Sequence, residues 1–198
     1  YEAHGLLGPG AMFGHAIWLT DNERARLRAS GAALIHCPTS NTFIGSGIFD
    51  AARAMAEGQT VGLATDTGGG SNFSMLHTMA SAYEIGQLAG SALHPAQLLW
   101  LATEGSARAM RAEGRIGTLR PGTDADLVVL DLASTPAIAQ RVARAETIWE
   151  AVFPTIMMGD DRAIAAVYVA GHRQEASGDE GSGHSRPIHP LVSDSLGL

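Results

Sequence analysis

Short apolar runs alternate with helix-like stretches through the first ninety residues. Residues 11–17 (AMFGHAI), 32–36 (AALIH) and 61–64 (VGLA) read as strands that are apolar on both faces. Between the first two, Thr20-Asp21-Asn22-Glu23 reads as a capping box that opens a helix running to about Ser30, with Gly31 as its stop. Pro38 halts the second run, and a helix is expected over about 46–57, closed by Gly58. After the third run, residues 72–89 read as helical, stopped at Gly90. The pattern is β-α-β-α-β-α, and burial on both strand faces is what a parallel sheet covered by helices requires.

The texture changes at His94-Pro95. Residues 97–102 and 106–110 read as two packed helical segments, and 116–126 as turns. Leu127-Val128-Val129-Leu130 and residues 163–170 (AIAAVYVA) read as strands of a small separate sheet, with a helical stretch over about 138–152 between them and a turn at Gly171-His172. Residues 175–198 are rich in Gly, Ser and Pro with scattered charge and read as a mobile tail, where His184 and His189 are solvated rather than metal-binding. The expected organisation is therefore 1–112 as the βα-repeat, 113–174 as a return to a small β-domain with a helical excursion, and 175–198 as the tail.

Each apolar run ends on, or carries near its end, a polar residue capable of chemistry: His15, His36 and Asp66. In βα-repeats the carboxyl ends of the strands form the active face. Taken singly, each has an ordinary structural explanation. His15 and His36 serve equally as a satisfied core histidine and a loop anchor, and Asp66 as a helix cap or an arginine partner. The glycines Gly68, Gly69 and Gly70 after Asp66 change the weighing, because they let a ligand or another backbone come close and place helix N-terminal amides nearby. Two imidazoles and a carboxylate on three neighbouring strand ends point to a metal-assisted hydrolytic site, with Zn or Fe as the suited cation. Cys37 reads as a small buried thiol, not a nucleophile.

Composition narrows the classes. The formal charge is −7, and all 13 basic residues are arginines without a basic stripe, which argues against nucleic acid as a partner. No apolar stretch approaches the roughly 18 residues of a membrane span. One cysteine excludes an internal disulfide framework and suits a reducing, cytoplasmic compartment.

The segments HAIWLT (15–20), HCPTSN (36–41) and GLATDTGGG (62–70), in that order and spacing, resemble the C-terminal half of the amidohydrolase superfamily. FSMLHTM (73–79) and MMGDDRAIAAVYVAGH (157–172) are most similar to its guanine deaminase branch. ATEGSARAM with GRIGTLRPGTDADLVVLD resembles the superfamily's usual exit from the barrel into its small β-domain. The resemblance covers roughly residues 6–174. It implies the last three βα-units of a metal-dependent (β/α)8 TIM barrel, plus strands of a small β-sandwich domain. It implies one metal per site and hydrolytic deamination of guanine to xanthine and ammonia. Asp66 is implied as metal ligand and proton acceptor, and His15 as the residue beside the attacking water. His15, His36, Asn41 and Asp66 are implied as substrate residues, with Ser40 in the same loop.

The family pattern also requires a His-x-His pair and a His-x-x-Glu element. No His-x-His occurs, and the only His-x-x-Glu is His172–Glu175, after the last strand. Three βα-units against the eight of a barrel also leave an unpaired edge. With Tyr1 as first residue, the expectation is a C-terminal part of a longer polypeptide, or a chain paired with a second one that carries the rest, inactive alone and homodimeric when complete. Two alternatives remain open. One is a related deaminase or chlorohydrolase acting on another purine, nucleoside or triazine. The other is a non-catalytic half-barrel used for binding or assembly.

Overall fold

A computed structural model describes residues 1–175. The expectations for the tail, including His184 and His189, lie outside the described residues.

Three strands, β1 (Met12–Gly14), β2 (Ala33–His36) and β3 (Thr60–Leu63), form a parallel sheet in sequence order. The register pairs Phe13 with Leu34 and Leu34 with Val61, and His36 with Leu63. Helix α1 (Asp21–Ser30) links the first pair, and its capping box forms as the sequence predicts: the Thr20 hydroxyl accepts from the Glu23 amide while the Glu23 carboxylate accepts from the Thr20 amide. That contact holds the Glu23 carboxyl below its ordinary pKa.

Four local expectations are corrected. The helix expected over 46–57 is shorter, α3 (Ala51–Ala56), and a helix that was not expected, α2 (Pro38–Phe43), precedes it. Pro38 does not merely end the strand; it sits in the first turn of α2, where its missing N–H costs nothing. Asp50 then caps α3 by accepting from the Arg53 amide, which fixes its start. Helix α4 (Met75–Leu88) begins three residues later than expected because Ser74 caps it, so the glycine run is not at its first turn. The two expected segments after His94 are one continuous run: α5 (Pro95–Trp100), a π-turn (Leu101–Gly105) and α6 (Ser106–Ala109). Gly105 permits that turn, since a Cβ there would lie 2.8 Å from the Trp100 ring. At its end the Ser106 hydroxyl accepts from the Leu63 amide at 3.1 Å, occupying part of the outer edge of β3.

The helix expected over 138–152 divides into α7 (Pro136–Val142) and α8 (Ile148–Met158), opened by Thr135 and Thr147 as caps. The second sheet is antiparallel, β4 (Leu127–Leu130) with β5 (Ile164–Val169) and β6 (His172–Gln174). Gly171-His172 is not only a turn, since His172 starts a third strand.

Burial separates the three parallel strands. β2 and β3 are covered almost throughout, as two-sided helix packing predicts, whereas β1 is largely exposed and Met12 is open to solvent. Among the described residues no strand pairs with the outer edge of β1. Leu34, Val61 and Leu63 join one buried cluster with Leu27 of α1, Ala51 and Ala54 of α3, Met79 of α4 and Leu98 of α5. Ile138, Val142 and Ile156 of α7 and α8 belong to the same cluster. This core holds β2 and β3 rigidly and leaves the carboxyl ends of the strands as the surface on which loops can differ.

Candidate active site

The loops that leave β1, β2 and β3 converge on one another. β1 ends at Gly14, one residue before the expected strand-end histidine. His15 and Ala16 then adopt left-handed backbone angles, φ 66° and 47°. Asp66, three residues past β3, does the same at φ 48°. Only five non-glycine residues among those described have positive φ, and three of them are these. Such conformations cost of order 1–3 kcal/mol each and persist where surrounding contacts enforce them. Here the enforcement is visible: the His15 amide donates to the Ile35 carbonyl at 3.1 Å, and the amides of Gly69 and Gly70 donate to the Asp66 carbonyl at 3.1 and 2.6 Å.

The result is a facing pair. His15 Nε2 lies 3.7 Å from Asp66 Oδ2, with both side chains partly open to solvent (44% and 35%). On the other side of the ring, His15 Nδ1 is 2.8 Å from Asn41 Oδ1. Asn41 and Ser40, which stand in α2, are almost wholly buried. Helix α2 is docked on the β3 loop by the Thr39 hydroxyl, which donates to the Thr65 carbonyl at 3.2 Å.

Of the two uses expected of the glycine run, the structure displays the close approach of backbone. A Cβ on Gly69 would lie 2.9 Å from Asp66 Oδ2 and 3.0 Å from Ser40 Oγ, and one on Gly70 would lie 2.5 Å from the Thr65 carbonyl oxygen. The glycines let the loop fold back onto its own aspartate, so the chain itself needs them.

His36 is placed apart from this pair. It ends β2 at 1% exposure, its ring 5.2 Å from that of Phe49, with both ring nitrogens lacking a hydrogen-bond partner among the described residues. Burial alone pushes its pKa down to about 3, so the ring is neutral. Cys37, one residue on, comes to the site: its sulfur, His15 and Asp66 present donor atoms all within 4.8 Å of one another. Burial, with a further contribution from the Asp66 charge, raises the thiol pKa, so Cys37 stays protonated. The alternation of side chains along a strand accounts for this, since His36 and Cys37 point to opposite faces. That signal was present in the sequence but does not say which face is the site.

The donor chemistry fits a cation. A carboxylate and an imidazole are ordinary zinc ligands, and groups bound to one tetrahedral zinc lie roughly 3.3–3.6 Å apart. The 3.7 Å between His15 Nε2 and Asp66 Oδ2 is close to that spacing, and a histidine nitrogen and a carboxylate oxygen so near each other favour a positive charge between them.

Residues 1–173 match the Amidohydrolase family, and the chain belongs to it. Guanine deaminase of Escherichia coli is 36% identical over 171 residues, which is 86% of this chain and 39% of that protein. The solved structure of the E. coli guanine deaminase superposes with a TM-score of 0.86 at 35% identity, covering 88% of this chain and 41% of that one. A 5-methylthioadenosine/S-adenosylhomocysteine deaminase of Nitratidesulfovibrio vulgaris is 40% identical over 134 residues, 66% of this chain and 30% of that protein. A zinc-bound adenosine deaminase from Xanthomonas campestris superposes with a TM-score of 0.75 at 25% identity, over 87% of this chain and 38% of that one. The chain thus spans about two fifths of the E. coli relative it matches. The α/β architecture is that of the amidohydrolase barrel family. No helix among the described residues is long and apolar enough to cross a membrane.

Proposed function

We propose that this chain is the C-terminal part of a metal-dependent guanine deaminase, which hydrolyses guanine to xanthine and ammonia. The observation that carries the reading is the His15–Asp66 pair, held face to face on strained backbone at the strand ends of an amidohydrolase chain. β1, β2 and β3 are then the last three strands of an eight-unit barrel.

In this reading Asp66 holds a zinc ion, with iron as the other suited metal, and most of the remaining ligands come from the rest of the polypeptide or from a second chain. The bound metal supplies Lewis acidity, which makes water acidic near neutral pH. Asp66 would also accept a proton from the attacking water. His15 Nε2 faces the same space, and its ring, once it has taken up a proton there, stabilises charge as the ring carbon of guanine bonds to the water oxygen and its C–N bond breaks. The atoms balance as guanine plus water giving xanthine plus ammonia. His36 is neutral and sealed against Phe49, so it shapes the β2 end and does not shuttle protons. The complete enzyme is a cytoplasmic homodimer, and the isolated chain, with too few ligands to retain metal, is inactive.

A second reading has one observation in its favour, the 40% identity to a deaminase of 5-methylthioadenosine and S-adenosylhomocysteine. Ammonia release from guanine, 8-oxoguanine and 5-methylthioadenosine by the complete enzyme separates the two. Guanine as the preferred substrate supports the first reading. Preference for the thionucleoside with negligible guanine turnover replaces it with the second.

A further inference from the structure

Asn41 was expected to meet substrate, yet its carbonyl oxygen is committed to His15. Resting on the reading above, we propose that Asn41 is a positioning residue: it accepts the Nδ1–H of His15 and thereby leaves Nε2 as the unprotonated nitrogen that faces Asp66.

The geometry for this is complete on both sides of the ring. Asn41 Oδ1 is 2.8 Å from His15 Nδ1, and Asp66 Oδ2 is 3.7 Å from Nε2, which is beyond hydrogen-bond distance. The contact joins residues 26 apart in sequence, so it fixes the β1 loop to α2 as well as the ring. Asn41 is itself rigid. It is 2% exposed, its amide donates to the Cys37 carbonyl at 2.9 Å, and its carbonyl accepts from the Ser46 amide at 2.8 Å. The Thr39 hydroxyl in α2 ties the helix to the loop that carries Asp66 by donating to the Thr65 carbonyl, and a Cβ on Gly69 would lie 3.0 Å from Ser40 Oγ, so helix and loop approach closely. One short helix therefore sets both the tautomer of the histidine and the place of the carboxylate.

The consequence is chemical. A neutral imidazole carries one N–H, and which nitrogen holds it is decided by the hydrogen bond at the other. With Nδ1–H given to Asn41, the Nε2 lone pair points at the side where Asp66, a cation or a water stands, and Nε2 is ready to bind or to accept a proton. The Asn41 Nδ2 group has no partner among the described residues. The reverse pairing, in which that N–H donates to Nδ1 and Nε2 carries the hydrogen, is therefore the arrangement that must be excluded.

Long-range 1H–15N correlation spectra of the uniformly 15N-labelled full chain at about pH 8.5 test this directly. The His15 signals are assigned by their loss in His15→Gln. The expected result is the Nδ1–H tautomer in the wild type and in Asn41→Asp, which keeps the acceptor, with a shift toward Nε2–H in Asn41→Leu. A wild-type His15 in the Nε2–H form overturns the proposal, as does an unchanged tautomer in a folded Asn41→Leu. If Asn41→Leu fails to fold, the wild-type and Asn41→Asp spectra decide the matter.

Kinetics of the complete enzyme add a second readout. Groups that orient an active-site ligand are typically worth 10- to 100-fold, so Asn41→Leu is expected to lower kcat by about that factor with KM within about twofold, and Asn41→Asp to restore most of it. The two readings fail separately. The expected tautomers with no purine deamination by the wild type overturn the proposed function and leave this inference standing. Active enzyme with Nε2–H does the reverse.

Discussion

His15 and His36 stand at the carboxyl ends of adjacent parallel strands and meet opposite surroundings. His15 sits on left-handed backbone at the rim, half open to solvent, with a hydrogen bond on one nitrogen and a carboxylate facing the other. His36 continues the regular strand, is sealed against Phe49 and has no partner on either nitrogen among the described residues. One residue type on one sheet thus serves two regions. The rim spends backbone strain to expose and aim polar groups. The covered face keeps regular backbone and forces its polar group to be neutral. Substitutions of the partly exposed rim side chains should then change activity more than the stability of the metal-free protein, and substitutions on the face should change stability without altering the proton chemistry.

The largest effect is expected at the rim. Asp66→Asn removes a ligand charge and a proton acceptor together, and its side chain is 35% exposed. Turnover of guanine to xanthine, followed by ultraviolet absorbance, should fall at least about 10³-fold, within the range for a lost acid–base group. The melting midpoint of the metal-free protein should not move. Near-normal turnover in this variant removes Asp66 from the chemistry.

The face should respond next, and only in acid. Folded His36 takes a proton near pH 3, whereas the unfolded imidazole takes one near 6.5. Below pH 6.5 the unfolded chain therefore binds more protons, and stability falls as pH drops toward 3; above 6.5 this contribution is constant. The loss approaches about 1.4 kcal/mol per pH unit, so roughly 2 kcal/mol at pH 5. His36→Leu removes it. Urea unfolding at pH 8 and pH 5 should show a clear drop for the wild type and a smaller one for the variant. Equal drops in both place the acid sensitivity elsewhere.

How legible this contrast was in the sequence differs by element. The β1–β3 order, the Thr20 capping box and the placing of His15 and Asp66 at the strand ends follow from local rules: an apolar run, a cap, a polar residue at the strand end. The division between His36 and Cys37 does not, because strand alternation puts them on opposite faces without saying which face is the site. The strained turns at His15 and Asp66 also have no sequence signature, since neither is glycine. Helix α2 was hidden by Pro38, which reads as a stop but is tolerated in a first helical turn. The single helix read across 138–152 missed Thr147, whose hydroxyl starts a second helix by accepting from the Glu150 amide at 3.2 Å.

A smaller effect tests the reading of the glycines. At Gly70 an added Cβ lies 2.5 Å from the Thr65 carbonyl oxygen, so backbone must move. Overpacking of this kind costs about 1–3 kcal/mol. Gly10→Ala, where a Cβ meets nothing within 4 Å, is the control and should leave the urea midpoint unchanged. If the glycines instead served only to admit a ligand, Gly70→Ala would be as stable as the control and would raise KM alone.

The smallest effect is expected at Cys37, which belongs to both regions. It is buried like His36, yet its sulfur lies within 4.8 Å of the His15 and Asp66 donors. Burial and the Asp66 charge raise its thiol pKa, and its sulfur is already directed at the Ile35 carbonyl at 3.6 Å. A protonated thiol is a poor nucleophile. Modification by a disulfide reagent at pH 8 should therefore be at least about tenfold slower in the folded chain than in urea, where the thiolate is free to form. Cys37→Ala should keep the metal content of the complete enzyme and change turnover by less than about threefold, since a free buried cysteine behaves as a small apolar side chain. Loss of metal in that variant moves Cys37 from the covered face to the rim, and the boundary between the two regions with it.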